Sequence, residues 1–318
     1  MKCHCCGGEE FKRNGKFENR NRVVQRFQCL RCGGTYSESQ PLDGVRIESD
    51  KAAMVVNMLA EGVGIRAIAR LAELNKKTVL RILETAGRHC EQIMEGKVRG
   101  LHVNEIEIDE AYAFVGCLQQ NTKGPMDTDR GEQYAYLAID PQTKLILHAH
   151  VGKRDTFSSR DFLEGLKPKI EGRFQLTSDS FPGYASPFGG VKFVFGESVD
   201  YATEEKSYSQ LEQGKGRIQN PVVCTSVRRK ARLGSPDMAR ATTNHVERAN
   251  LSVRLFNRRF TRKTMGFSRK LENHRWSVIL LAAHFNYCRA HSTHNQTPAM
   301  AAGLADCCSC HSDQPAKL

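Results

Sequence analysis

The sequence predicts a mixed α/β chain, in which a larger domain of strands followed by helices is preceded by two small modules. Three observations predict it. Paired cysteines open the chain, as Cys3-x2-Cys6 and Cys29-x2-Cys32. Apolar stripes of helical period follow over residues 48–90, and strand-like runs broken by helical ones fill residues 101–304. At 318 residues the chain exceeds the usual single-domain size, which suits one large domain with small modules attached.

The first module spans residues 1–40. Its two knuckles each offer two thiolates to one tetrahedral zinc, with enough chain between them for a β-hairpin, and Gly7-Gly8 and Gly33-Gly34 supply the turn after each knuckle. The expectation is a structural zinc ribbon with ligands Cys3, Cys6, Cys29 and Cys32; Cys5 replaces Cys3 or Cys6 only in a distorted knuckle. The second module spans residues 48–92. Ala52, Val55, Val56 and Leu59 form one stripe, Ile65, Ile68, Ala69 and Ala72 a second, and Val79, Ile82, Leu83 and Ala86 a third. Gly62 and Gly64 separate the first two helices, and Asn75 caps the third after a short turn. This is the outline of a helix-turn-helix, with Lys76, Lys77, Thr78 and Arg81 at the DNA-facing tip of its third helix. An ordinary three-helix bundle with a solvated basic face is the other reading.

The larger domain begins with a β-rich run over residues 103–114. Residues 134–139 and 144–151 flank Asp140-Pro141-Gln142-Thr143, a hairpin turn. A helix over residues 156–166 is capped by Asp155, and a short strand over 174–178 ends at Asp179 before the turn Phe181-Pro182-Gly183-Tyr184. After Thr243 the pattern is mostly helical, which suits a mixed sheet of the ribonuclease-H-like kind. Residues 305–318 carry Cys307, Cys308, Cys310 and His311, a further metal site or, with the Ser, Asp, Gln and Pro after them, a disordered tail.

Charge narrows the partners. Lys and Arg number 47 against 35 Asp and Glu, a net +12 that favours a polyanion, nucleic acid first. The most apolar stretch, residues 278–285, is far below the roughly 20 residues of a membrane span. No signal peptide is visible at the start, so a cytoplasmic address and reduced thiols are expected for the 12 cysteines.

Strand parity sorts the acids. On residues 103–109, Ile106 and Ile108 share one face while Glu105, Glu107 and Asp109 share the other; Glu110 falls on the apolar face, so Asp109 is the better metal-facing candidate. Asp179 stands at a strand end, where it can reach a site or simply form a turn. Glu247 follows Asn244 by three residues and suits a capping box at a helix start.

The run Asn244-His245-Val246-Glu247-Arg248-Ala249-Asn250, with Arg262-Lys263-Thr264 and Phe267-Ser268 after it, resembles the signature of transposases of the insertion-element-one family (InsAB type). The paired Cys-x2-Cys motifs, the helix-turn-helix, Ile108-Asp109-Glu110 and the late Thr297-Pro298-Ala299-Met300 stand in that family's order. The resemblance implies an Asp-Asp-Glu transposase with catalytic Asp109, Asp179 and Glu247 holding Mg²⁺ or Mn²⁺, spaced by 179 − 109 = 70 and 247 − 179 = 68 residues. It implies DNA partners, transposon ends and target, and at least a homodimer in synapsis. Arg254, at 254 − 247 = 7, lies two helical turns beyond Glu247 on the same face and suits a phosphate contact, as do Arg262 and Lys263 and the basic cluster at Arg228, Arg229, Lys230 and Arg232. His245 belongs to the pattern with either a structural or a catalytic role. Two rivals remain at this stage. One is a tyrosine recombinase using His245, Arg248 and Tyr287; the other is a DNA-binding regulator that lacks catalysis.

Overall fold

The computed structural model describes residues 3, 6, 8–19, 22–37, 47–124, 127–210, 222–261 and 264–307. Arg262, Lys263, Cys5, Cys308, Cys310 and His311 lie outside the described residues.

Strands β1 (Phe11–Asn19), β2 (Arg22–Cys29) and β3 (Thr35–Ser37) form an antiparallel sheet in that order. Phe11, Phe27 and Tyr36 meet on it with ring centroids 5.4 to 6.3 Å apart, a small aromatic cluster in place of an aliphatic core. Three helices follow: α1 (Ser49–Ala60), α2 (Ile65–Leu71) and α3 (Lys76–Lys97). Gly62 takes φ +76° between the first two, and the Asn75 side chain accepts the Lys77 amide at the start of α3. The third helix is longer than its apolar stripe suggests. Cys90 and Met94 continue the buried face, so α3 runs 22 residues and crosses the boundary at residue 92 that the sequence suggests.

The large sheet contains β5 (Glu105–Val115), β6 (Gly131–Ile139), β7 (Ile146–Gly152), β9 (Phe174–Ser178), β10 (Val199–Gln210) and β11 (Val222–Leu233), in the order β11-β10-β9-β5-β6-β7. A two-residue β4 (Leu101–His102) pairs with β8 (Ile170–Glu171) beside it. Pairings β5–β9 and β9–β10 are parallel and the rest antiparallel, so the sheet is mixed. Helices α4 (Thr156–Leu166), α5 (Val191–Phe195), α6 (Asn244–Phe256), α7 (Leu271–Tyr287) and α8 (Pro298–Ala301) complete the chain. Asp140 accepts the Gln142 amide in the β6–β7 turn, and Asp155 caps α4 through the Ser158 amide.

Both faces of the sheet are covered, and the two-residue period divides them. Ile106, Ile108, Tyr136 and Ala138 join one core with α4, α5 and α1 to α3; Ala111, Ala113, Ala135 and Leu137 join the other with α6. α7 serves both, with Trp276, Ile279 and Tyr287 in the first core and Val278, Leu281 and Ala282 in the second. The first core is continuous from Val55 of α1 through Leu83 of α3 to Ile108 of the sheet, so the three-helix module is fused to the large domain. Ion pairs Arg275–Glu91 and Arg88–Glu272 cross the same seam.

Candidate functional site

The acids gather where the two central parallel strands lie side by side. Asp109 projects from β5 toward α6, and its Oδ2 accepts a hydrogen bond from Asn250 Nδ2 at 2.8 Å. Asp179 directly follows β9 and accepts the Phe181 amide at 2.9 Å, an Asx turn that holds the carboxylate at the strand end. Glu110 points to the opposite face from Asp109 and is nevertheless part of the same group. One carboxylate oxygen from each of Asp109, Glu110 and Asp179 lies within 4.8 Å of the others. Arg154 bridges two of them, 3.0 Å from Glu110 and 2.7 Å from Asp179, while its guanidinium lies 4.6 Å over the Phe181 ring. Tyr184 donates its hydroxyl to Glu110.

Electrostatics follow from that crowding. Burial and then the Asp179 charge push Asp109 up to about 6, against the Glu110 amide and Asn250, which lower it. Glu110 rises to about 7, through burial first and Asp179 next, with Tyr184 and Arg154 opposing. Hard oxygens clustered with like charge, two of the three acids paired with Arg154, form a donor set of the kind that suits a hard divalent cation.

Glu247 sits in the first turn of α6, outside that trio. It accepts from Lys206 Nζ at 2.7 Å and from Thr243 Oγ1 at 2.8 Å. The capping box expected from Asn244 does not form: Thr243 is the N-cap, with no side-chain bond to a helix amide, and Asn244 is the first helical residue, which puts Glu247 one position beyond the box. The amides of His245 and Val246 are capped from outside the helix, by the buried carboxylate of Glu107 at 2.7 and 2.9 Å. His245 Nδ1 meets the other oxygen of Glu107 at 2.7 Å, so the His245 contact is with the cap and not with the acid trio. Burial raises the pKa of Glu107, and His245 and the capped amides counter it. Glu204 of β10 fastens the same helix start. It accepts the Thr243 amide at 3.0 Å, shares the one Thr243 hydroxyl proton with Glu247, and pairs with Arg229 and Lys206; burial raises its pKa but these partners leave it below the usual carboxylate range.

The four cysteines Cys3, Cys6, Cys29 and Cys32 converge, with Sγ separations of 3.6 Å for Cys3–Cys32 and for Cys6–Cys29. Zinc–sulfur bonds of about 2.3 Å at tetrahedral angles put sulfurs about 3.8 Å apart, so the cluster fits a zinc ion. At the tip of α3, Lys76, Lys77 and Arg81 are exposed and Thr78 is half-buried. Arg254 is half-buried on the Glu247 face of α6, and Arg228, Arg229, Lys230 and Arg232 are exposed on β11. The Tyr287 hydroxyl is buried in the core, where burial pushes it up to about 12, so it is closed to DNA. No helix among the described residues is long and apolar enough to cross a membrane.

Arg154 and Lys206 are residues of the site that the sequence did not single out, and Glu107, Glu110 and Asn250 stood in its motifs without a role. The one available signal was Glu110 itself, since an acid on an apolar strand face requires a partner. No protein-family model matches the chain, and no curated protein is significantly similar to it. Among solved structures, the "Mos1 transposase paired-end complex with left transposon end" aligns with 49% of this chain and 57% of its own, little more than half, at 13% identity and a TM-score of 0.19, which is too low to establish a shared fold.

Proposed function

We propose that the chain is a DNA transposase of the Asp-Asp-Glu type, with residues 1–40 as a zinc ribbon, 48–92 as a helix-turn-helix and 101–304 as a ribonuclease-H-like catalytic domain. The observation that carries this reading is the convergence of Asp109 and Asp179 with Glu110 at the centre of a mixed sheet, beside the helix that bears Glu247. Divalent cations held by these carboxylates would supply activation of the attacking oxygen of a phosphodiester reaction and neutralisation of the leaving one.

The chain's own residues do the rest. Asp109, fixed by Asn250, and Asp179, fixed by its Asx turn, present carboxylate oxygens from two adjacent strands. Glu247, paired with Lys206, would be the third acid to hold a cation, and Glu107 and Glu204 keep its helix start in place. Lys76, Lys77, Thr78 and Arg81 read DNA from α3, while Arg254, Arg262, Lys263 and the exposed basic row on β11 track phosphates. DNA ends and target are the partners, brought together by at least two copies of the chain. A non-catalytic DNA-binding regulator is the second reading, favoured by the internal pairing of the acids with Arg154 and Lys206.

Nicking of labelled duplexes carrying candidate element ends separates the two. Cleavage should require Mg²⁺ or Mn²⁺, vanish in EDTA and leave no protein attached to DNA. Asp109→Asn, Asp179→Asn and Glu247→Gln should each abolish it and leave end binding intact, with Tyr287→Phe as active as wild type. An Asp109→Asn protein that nicks at the wild-type rate would sink the assignment, and a wild type that binds ends without ever cutting would favour the regulator.

A further inference from the structure

Asn250 follows Glu247 by one turn of α6 (250 − 247 = 3) and is 2% exposed. Its Nδ2 donates to Asp109 Oδ2 at 2.8 Å, whereas its Oδ1 is buried and has no hydrogen-bond partner among the described residues. Asp109 fixes the orientation of that amide, because the reversed one would set a carbonyl oxygen against a carboxylate oxygen. The one hydrogen bond that this buried side chain makes among the described residues is therefore to a carboxylate of the acid group.

We propose that Asn250 is a positioning residue of the cation site. Its Nδ2 donates to Asp109 Oδ2 and so fixes the carboxylate that Asp109 brings to the group formed with Glu110 and Asp179. This role rests on the reading of the acids as a divalent-cation site and extends that site to a neutral residue. It also explains why α6 is fastened twice to β5, at its start by Glu107 and one turn beyond Glu247 by Asn250. With both fastenings made, the Glu247 turn of the helix and the Asp109 position of the strand keep one spacing.

The test uses the full chain, zinc-loaded and free of DNA, with Mn²⁺ as the probe and free Mn²⁺ read by electron paramagnetic resonance. Asn250→Leu keeps the volume and Asn250→Ala does not; both lack the two polar atoms. Each should weaken Mn²⁺ binding about tenfold or more, the range typical when a partner of a metal-ligating group is removed. Zinc content and far-ultraviolet circular dichroism verify that each variant is folded. A packing role alone would lower the thermal midpoint of Asn250→Ala and leave the Mn²⁺ affinity of Asn250→Leu at the wild-type value, and that result overturns the proposal. Asp109→Asn is the reference. If it abolishes Mn²⁺ binding while Asn250→Leu changes nothing, the role of Asn250 alone fails; if it too binds Mn²⁺ as wild type does, the cation-site reading fails.

Discussion

Glu107 and Glu110 stand three residues apart on β5, both buried and on opposite faces, and their partners set their different tasks. Two helix amides and His245 surround Glu107, so its charge is spent on anchoring α6. Arg154 and Tyr184 meet Glu110 and leave it facing Asp179. Removing one partner of such a buried charge typically costs about 3–5 kcal/mol, so neither acid is interchangeable with its amide. His274 is the contrasting case. It is fully buried on α7 against Phe260, with centroids 5.0 Å apart, and neither ring nitrogen has a hydrogen-bond partner among the described residues. Burial, aided by Arg259, lowers its pKa to about 3, far below the roughly 6.5 of an unfolded histidine. The unfolded chain therefore binds this proton first. Stability attributable to neutral His274 is complete above pH 6.5, is lost progressively as pH falls toward 3, and changes no further below that. Urea unfolding between pH 6.5 and 4.5 should show a shallower loss of stability on acidification for His274→Leu than for wild type, by up to about 1.4 kcal/mol per pH unit. Parallel slopes for the two proteins would show that the imidazole is not held neutral.

Helix α3 meets α7 at Gly87, where an added Cβ would lie 2.8 Å from the Cβ of Trp276. Gly96, on the same helix, has nothing within 4 Å of such an atom. Substitution by alanine should then have opposite signs at the two positions. Gly87→Ala overpacks the seam and should destabilise by about 1–3 kcal/mol less the gain in helix propensity, whereas Gly96→Ala should stabilise by up to about 1 kcal/mol. Thermal or urea unfolding measures both, and a stabilised Gly87→Ala would show that α3 and α7 are not in close contact. The start and stripe of α3 were legible in the sequence because Asn75 and the Val79, Ile82, Leu83, Ala86 repeat carry local signals. Its end was not, since Cys90 and Met94 are buried by α7, almost two hundred residues later in the chain. β10 and β11 were illegible for a different reason. Beyond residue 204 most of this hairpin is exposed on both faces, so residues such as Arg228, Arg229 and Lys230 show no apolar alternation to mark a strand. Parity placed Asp109 and Glu110 on opposite faces correctly. What parity could not reveal is that Arg154, from after β7, and Tyr184, from after β9, would bring Glu110 back into the group.

At the scale of the molecule, the three-stranded ribbon stands apart from the rest: neither large core contains a residue from β1, β2 or β3. Its stability depends on the cysteine cluster and a few rings, and a unit that small rarely folds unaided. One zinc per chain is expected. Chelation or Cys29→Ser should remove it and open the amides of β1, β2 and β3 to hydrogen exchange, while those of β5, β6 and α7 retain their protection. Undiminished protection of β2 in zinc-free protein would show that the ribbon stands on its own aromatic cluster. The core shared by α3 and the sheet has the opposite consequence. The basic tip of α3 and the carboxylates of β5 and β9 are parts of one solid body, so under the proposed function a duplex seated on both would be measured as by a caliper with fixed jaws, and the number of base pairs from the bases read to the bond broken would be a constant of the protein, unaltered by the length or sequence of the DNA beyond them.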